Sequence, residues 1–239
     1  MSKKVINQNT NYDSELLNSI DTNYIFNEKP INRLKITSDN LNKDNIDKKK
    51  EISKLYNEIN SIEDCSLKKN SQKLVLGEGN INSSIMVIGE APGIQEDKSG
   101  LAFSGEVGSL LKKMLLAINI KKENIYTTYA VNFRPPEDRK PNSVEIKKYS
   151  LYLQKHISII NPKIIILMGS TAMEALTGLN SKISLERGQW KEIIIKNISY
   201  DVIITFSPSY LLRFPDNKKF SWEDLKKIKK KINELNLKI

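Results

Sequence analysis

The chain has 239 residues, 39% hydrophobic and 28% charged, with a formal net charge of +10. This length suits one domain with an extension and allows a sizeable core. Its apolar runs are far shorter than the roughly 20 residues of a membrane span, and no apolar segment follows the polar N-terminus. We therefore expect a cytoplasmic protein without a membrane segment. A single cysteine, Cys65, excludes an internal disulfide and a tetrathiolate metal site. Any His-pair metal site or Ser-His-Asp machinery would have to use the single histidine, His156, alone.

The positive charge is concentrated in the later part of the chain. Residues 1–70 contain 12 basic and 11 acidic residues, whereas residues 71–239 contain 26 basic and 17 acidic residues. This distribution suits a polyanionic partner such as nucleic acid, although general lysine enrichment explains it equally well. Only five of the 38 basic residues are arginine, and four of these lie in loops marked by Pro or Gly. A planar guanidinium in such a loop is suited to a carboxylate or a phosphate.

The N-terminal part is expected to be an extension and a linker. Residues 1–12 are polar and predict disorder, and residues 34–50, rich in Asn, Asp and Lys, are typical of a flexible linker. Apolar residues at spacings of three and four over 48–62 predict an amphipathic helix. We therefore divide the chain into an extension with linker, 1–50, and a folded domain, 51–239.

From residue 71 onward, apolar runs alternate with helical patterns. Strands are predicted at 84–88, 125–131, 164–168 and 202–206, with a peripheral strand at 193–195. Helices are predicted over 107–118, 146–157, 172–176 and 222–235. This alternation predicts an α/β fold with a central, mostly parallel four-stranded sheet and helices on both faces.

Four loops of marked composition follow the predicted strands. They are residues 89–93, 133–141, 169–170 and 207–213. Because the loops at the carboxyl ends of parallel strands lie along one edge, where ligands bind, we expect these four to form a single site.

The first loop carries the clearest candidates for chemistry. Gly-Glu-Ala-Pro-Gly at 89–93 can bring backbone N–H groups close to an anion, but it is neither a dinucleotide fingerprint nor a P-loop. Glu90 is the best-placed carboxylate for acid–base chemistry, whereas Glu96 and Asp97 are expected to be solvated. Phe103 lies between glycines in the following loop, where its ring can stack on a planar ligand.

Two further loops have the composition of DNA-binding segments. Residues 134–141 form a stiff basic loop suited to backbone phosphates. Residues 207–213 combine hydroxyl groups, two adjacent leucines and an arginine, as in a wedge flanked by phosphate-binding groups. Anchoring in the core explains either leucine equally well. His156 is expected at the surface or at an interface rather than as a general base.

Taken in order, these loops resemble those of the uracil-DNA glycosylase superfamily, specifically the type-4 enzymes. The resemblance spans residues 61–232. Its motifs are Gly-Glu-Ala-Pro-Gly at 89–93, a segment with Phe103 between glycines at 100–111, Arg-Pro-Pro-x-x-Arg-x-Pro at 134–141, Arg-Gly-x-Trp at 187–190 and Pro-Ser-x-Leu-Leu-Arg at 208–213. Residues 64–80 are similar to an alphaproteobacterial branch of the family, here without the cysteine cluster.

The resemblance implies a monofunctional DNA glycosylase of base-excision repair. Such an enzyme hydrolyses the N-glycosidic bond of a uracil, or a related deaminated base, that has been swung out of the DNA. The residues it implies for catalysis are Glu90 and Ser207, and those for the base pocket are Gly89, Ala91, Phe103 and Tyr129. The residues it implies for DNA contacts are Arg134, Arg139, Ser209, Leu211, Leu212 and Arg213. The expected partner is uracil-containing DNA, bound by a monomer, with no membrane involved.

The chain departs from the family at the cofactor. Members with an iron–sulfur cluster hold it with four cysteines. Here only Cys65 remains, and Ile62, Phe133 and Tyr149 occupy the other three positions. We therefore expect no cluster and no other cofactor, and packing of these side chains can take over its structural role.

Two replacements lie in the expected base pocket. Tyr129 stands where the family has an Asn that contacts the uracil edge, and a tyrosine ring that filled the pocket would argue against base entry. Ser207 stands where the family has a His, and loss of that donor is expected to slow excision by about 10²–10³-fold. The alternatives are therefore a slow glycosylase, one for a different damaged base, or a catalytically weakened or inactive DNA-binding member. A role as an accessory to a DNA polymerase is a third hypothesis.

Overall fold

The computed structural model describes residues 38–63 and 65–237. The disorder predicted for 1–12 lies outside these residues. Helix α1 (Ser38–Asn60) begins ten residues before the predicted helix and ends near its predicted end. The flexible-linker interpretation is therefore wrong from Ser38 onward, because no Pro or Gly interrupts the sequence there and the helix continues towards the N-terminus. The domain boundary at residue 50 stays a prediction.

Six strands form one sheet in the order β1-β3-β2-β4-β6-β5. Their bounds are β1 (Gly77–Gly79), β2 (Ile85–Gly89), β3 (Tyr126–Tyr129), β4 (Ile164–Met168), β5 (Trp190–Ile195) and β6 (Ile198–Thr205). The four central strands run parallel, which confirms the predicted fold class, and the edge strands β1 and β5 pair antiparallel. The short Gly-Glu-Gly strand β1 has no apolar pattern, and the sequence did not predict it.

Helices pack on both faces of this sheet, as predicted. Their bounds are α2 (Ser66–Asn70), α3 (Ile94–Ser99), α4 (Gly105–Leu116), α5 (Ser143–Ile160), α6 (Ser170–Thr177), α7 (Ile183–Glu186), α8 (Pro208–Arg213) and α9 (Lys218–Glu234). Successive residues of a strand point to opposite faces. Val87 thus packs with α4 and α9, whereas its neighbour Met86 packs with α5 and α6. Coverage on both sides explains why β2 and β4 are buried throughout.

The four positions expected for cluster ligands meet in a separate apolar core. Cys65, Phe133 and Tyr149 are buried together, and Ile62 packs against them. The Cys65 thiol lies 3.1 Å from the Tyr149 hydroxyl, and the rings of Phe133 and Tyr149 meet edge to face at 6.4 Å. These residues do not fit an iron–sulfur cluster, because they offer one thiol where a cluster needs several ligands. Hydrophobic packing fills this place instead.

His156 lies on the side of α5 that faces β3, inside the fold, so the expectation of a histidine at the surface or at an interface is wrong. It is 2% exposed, and its ring nitrogens lie 3.0 Å from the Tyr126 hydroxyl and 3.4 Å from the Thr128 hydroxyl. Burial lowers the pKa of His156 to about 4, so the ring is neutral at physiological pH. Within the described part of the chain, no helix is long and apolar enough to cross a membrane.

Candidate functional site

The four loops gather at the carboxyl edge of the central strands, as the sequence predicts. Together they line a cleft of about 610 Å³. Ten of the twelve predicted site residues line it, and the two that do not are Arg134 and Leu211. The cleft also receives residues that the sequence did not single out, among them Thr171, Ile183, Phe206 and Tyr210.

Glu90 sits where β2 leaves the sheet and points across to the start of α6. One carboxylate oxygen, Oε1, accepts hydrogen bonds from the Thr171 backbone N–H at 3.1 Å and the Ser170 hydroxyl at 3.3 Å. The other oxygen, Oε2, makes no hydrogen bond to the described chain. Glu90 is therefore anchored by one oxygen and can offer the other to a water molecule or a ligand.

Gly169 makes this arrangement possible. It has a φ of +103°, which L-residues rarely adopt, and a Cβ placed there would lie 2.2 Å from the Glu90 carboxyl carbon. Only glycine allows the loop before α6 to approach Glu90 this closely.

Tyr129 ends β3 beneath the cleft and stacks on Phe103. The ring centroids are 4.9 Å apart and the planes are 23° apart. The Tyr129 hydroxyl accepts a hydrogen bond from the Phe103 backbone N–H at 3.0 Å. The two side chains are only 4% and 5% exposed. Tyr129 therefore covers one face of the Phe103 ring. The family resemblance implies that this ring stacks on the uracil.

The stack packs against Gly89, and burial keeps the Tyr129 hydroxyl protonated. A Cβ at Gly89 would lie 2.7 Å from the Tyr129 ring and 2.8 Å from the Phe103 ring, so both rings pack directly on the backbone of β2. Burial, reinforced by the negative charge of Glu96, raises the pKa of Tyr129 well above its ordinary value. The phenol is thus neutral over the whole working range of pH.

Glu96 and Asp97 are buried, so the expectation that they are solvated is wrong. Glu96 accepts hydrogen bonds from the backbone N–H groups of Gly93 at 3.0 Å and Ser104 at 2.9 Å. Asp97 accepts from the backbone of residues 72 and 73. Both carboxylates satisfy loop N–H groups that would otherwise be buried without partners, and Glu96 also lines the cleft.

Ser207 immediately precedes α8 and is its N-cap residue. Its hydroxyl oxygen accepts a hydrogen bond from the Tyr210 backbone N–H at 3.3 Å, which leaves its O–H proton able to donate elsewhere. Ser209 follows in the first turn and is exposed. A serine at position 207 therefore serves the local structure and still presents a donor to the cleft.

The two leucines of α8 have different environments. Leu211 is 1% exposed and packs in the core with Phe206 and Leu225, whereas Leu212 is 38% exposed and lines the cleft. Neighbouring residues of a helix point about 100° apart, and here the side of α8 that carries Leu211 is turned into the core. Leu211 is thus a core residue in this conformation, and a DNA contact by it stays a prediction, whereas Leu212 is exposed at the cleft and is the better placed to act as a wedge.

The described arginines mostly hold carboxylates. Arg134 donates to Asp138 at 2.6 Å, and Arg139 grips Glu145 with two hydrogen bonds of 2.9 and 2.6 Å. Arg134 does not line the cleft, although its partner Asp138 does, and a DNA contact by Arg134 stays a prediction. Arg213 lines the cleft and has no ion pair within the described residues, which leaves its guanidinium open to a phosphate.

Comparisons with known proteins agree with this geometry. The model of the uracil DNA glycosylase superfamily matches residues 76–229. The chain therefore belongs to the uracil DNA glycosylase superfamily. It is 36% identical to the type-4 uracil-DNA glycosylase of Thermotoga maritima over 167 residues, which cover 69% of this chain and 86% of that protein. It is 32% identical to the type-4 uracil-DNA glycosylase of Pyrobaculum aerophilum over 169 residues, with coverage of 69% and 86%.

A third similar protein is much longer. The DNA polymerase of Bacillus phage SP01 is 33% identical over 129 residues, which cover 54% of this chain and 14% of that protein. The shared segment is thus a small part of the polymerase.

Proposed function

We propose that the protein is a DNA glycosylase of base-excision repair that releases uracil, or a related deaminated base, at a low rate. The observation that carries this proposal is the single cleft into which the strand-end loops bring Glu90, Phe103 and Ser207. Membership of the superfamily and similarity to type-4 enzymes support the same reaction. Arg213 and the chain's net charge of +10 favour a polyanionic substrate.

The chemistry requires stabilisation of two developing charges. As the N-glycosidic bond breaks, the electron pair leaves with the base, and the sugar becomes an oxocarbenium-like cation. The O–H of Ser207, whose proton is not used by the Tyr210 N–H, would donate to the departing base, a role that suits a preorganised donor. The free Oε2 of Glu90 is suited to orient the attacking water and to accept the proton that this water loses, and the released base anion takes up a proton from solvent. No step in this scheme needs a metal ion or an iron–sulfur cluster. The four positions expected for cluster ligands provide one thiol, Cys65, which is too few to hold a cluster.

Base entry requires a change at Tyr129. A planar base cannot stack on the covered face of Phe103 until the Tyr129 ring moves aside, and that movement breaks a hydrogen bond and exposes buried aromatic surface. We therefore expect DNA binding to be separable from excision, with excision the slower event.

The same stack favours a second candidate function. If the Tyr129 ring stays on Phe103 in the complex, the cleft binds DNA through Arg213 and Leu212 without admitting a base. The protein would then be a DNA-binding member of the superfamily that does not excise.

An excision assay over a panel of lesions distinguishes the two. The protein is incubated with single-stranded and duplex DNA that carries uracil, hypoxanthine or xanthine, and alkali then cleaves any abasic site. Slow cleavage of at least one substrate supports the glycosylase. Binding without cleavage of any substrate supports the second function, and absence of both binding and cleavage contradicts both proposals.

A further inference from the structure

Three aromatic rings form a ladder from the core to the surface at α8. Phe206 stacks on Tyr210 with centroids 4.9 Å apart and planes 27° apart. Tyr210 in turn contacts Phe214 at 4.9 Å with planes 39° apart. Exposure rises along the ladder from 5% at Phe206 to 52% at Phe214. The inner rings are therefore fixed by the fold, whereas the last ring is half in solvent.

The middle ring is held by more than stacking. The side-chain amide of Asn217 donates a hydrogen bond to the Tyr210 hydroxyl at 3.0 Å. The Phe214 backbone N–H donates to the Tyr210 carbonyl at 2.9 Å, which ends α8 at this point. Phe214 thus stands on a rigid support, and its ring contacts no other aromatic ring within the described residues.

The surroundings of Phe214 suit a nucleic-acid strand. Leu212 and Arg213, which precede it, and Tyr210, on which it packs, line the cleft, so the exposed ring lies beside the proposed DNA site. Lys218 and Lys219 follow within one turn of α9, and neither forms an ion pair in the part of the chain that the structure describes. Asp216 is the one acidic residue among 213–219, so the local charge is positive.

We propose that Phe214 is a stacking platform for an unpaired base of the DNA strand that enters the cleft. An exposed aromatic ring on a rigid support offers a planar face to any base, and the adjacent cations hold the phosphates on either side. Leu212 would separate neighbouring bases, and Phe214 would then receive the base next to the gap. This inference rests on the proposed function only in that it requires the chain to bind DNA.

Substitutions at Phe214 test the proposal by DNA affinity. Fluorescence anisotropy measures binding of the full chain to a labelled single-stranded oligothymidylate at several salt concentrations. Loss of one base stack predicts about tenfold weaker binding for Phe214→Ala. Phe214→Leu keeps an apolar side chain but no planar face, and it should be as weak, whereas Phe214→Trp should bind at least as tightly as the parent. The slope of log affinity against log salt should not change, because no phosphate contact is lost.

Two controls separate stacking from general damage. Ile194 is 72% exposed and lies in the turn-side half of the β5–β6 hairpin, at the end of the sheet opposite the cleft, so Ile194→Ala should bind DNA as the parent does. Thermal unfolding identifies any variant in which α8 has lost its structure. In addition, 2-aminopurine beside a uracil in the oligonucleotide should be quenched by the parent and less so by Phe214→Leu.

The outcomes are distinct for the two proposals. Parent-like affinity of a folded Phe214→Ala, or equal affinities of Phe214→Leu and Phe214→Trp, would overturn the stacking platform and leave the DNA-binding function intact. If the parent itself does not bind DNA, the proposed function fails, and this inference fails with it.

Discussion

The ring of Tyr129 occupies a face of Phe103 in the protein without DNA, with 4.9 Å between the ring centroids. The two residues come from different segments, the end of β3 and the loop before α4, and they are also joined by a hydrogen bond from the Phe103 N–H to the Tyr129 hydroxyl. Residue 129 therefore determines whether that face of Phe103 is available to a base. Both side chains also line the cleft, so the stack forms part of its wall.

Replacing the two unusual pocket residues should increase uracil excision. In the double variant Tyr129→Asn, Ser207→His, the smaller Asn frees Phe103 and the imidazole supplies a stronger donor to the leaving base. We expect the rate of uracil release to rise by about 10²–10³-fold, the usual effect of one such donor. Alkali cleavage of single-stranded uracil DNA under single-turnover conditions measures this.

The single variants show which change matters. Tyr129→Asn alone should raise uracil affinity, and Ser207→His alone should do little while the Tyr129 ring still covers Phe103. A double variant that remains folded, binds DNA and is no faster than the parent would show that the cleft is not a disarmed glycosylase pocket.

Glu90 should be needed for catalysis but not for stability. Glu90→Gln keeps an oxygen for the Thr171 N–H and removes the charge, so we expect excision to fall by about 10²-fold or more with little change in unfolding free energy. Glu96→Gln is the matched control, since Glu96 accepts from two loop N–H groups and is buried. It should lower the unfolding free energy by about 1–3 kcal/mol. Equal excision by Glu90→Gln and the parent would remove Glu90 from the reaction.

Cys65 should be a structural side chain and not a metal ligand. Cys65→Ala leaves the buried Tyr149 hydroxyl without its partner and should cost about 1–3 kcal/mol of unfolding free energy in urea denaturation. Cys65→Ser retains a partner and should cost less. Anaerobic incubation of the parent with iron and sulfide should give no bound iron in a colorimetric assay. Stoichiometric iron that disappears in Cys65→Ser would contradict the apolar replacement of the cluster.

The order of strands and helices could be predicted because each element has a local pattern of apolar residues in the sequence. The run of residues 164–168 is apolar throughout, and the structure places β4 there with the same bounds. Loops marked by Pro and Gly follow the parallel strands, and this alone predicts their convergence. Strand β1 escaped prediction because Gly77–Gly79 pairs through its backbone and has no apolar side chain.

The state of the pocket could not be predicted, because it depends on contacts between segments far apart in the chain. The sequence shows that residue 129 is a tyrosine, but its position on Phe103 follows from the close approach of both rings to Gly89. Likewise, the sequence has leucine at both 211 and 212, and only the orientation of α8 about its axis determines that Leu211 is buried and Leu212 is exposed.

Arg213 and Arg139 should differ in their effect on DNA binding. Arg213 has no ion pair within the described residues and lines the cleft, so Arg213→Ala should reduce the slope of log affinity against log salt by about one phosphate contact. Arg139 is committed to Glu145 by two hydrogen bonds, so Arg139→Ala should change that slope less and lower stability more. Anisotropy titrations at several salt concentrations and urea denaturation measure the two quantities. The reverse pattern would assign the phosphate contact to Arg139.

His156 should make the fold less stable in mild acid. Its pKa is about 4 in the folded chain, against 6.5 for an ordinary histidine. Between these values the unfolded chain binds a proton that the folded chain does not, so the unfolding free energy falls as the pH falls, by up to about 3 kcal/mol. His156→Gln can still bond the Tyr126 and Thr128 hydroxyls but does not titrate, so it should lose this dependence.

The comparison is made between about pH 6.5 and pH 5. Burial raises the pKa of Asp224 above its ordinary value, but the parent and His156→Gln share that carboxylate, so its contribution cancels in the difference. Ion pairing with Arg139 lowers the pKa of Glu145, so its contribution to stability is lost only at a lower pH. Urea denaturation of the parent and His156→Gln across this range measures the difference. If the unfolding free energy depends equally on pH in the two proteins, His156 titrates alike in the folded and unfolded chains, and the prediction is wrong. The burial of His156 and its two hydroxyl neighbours argue against that outcome.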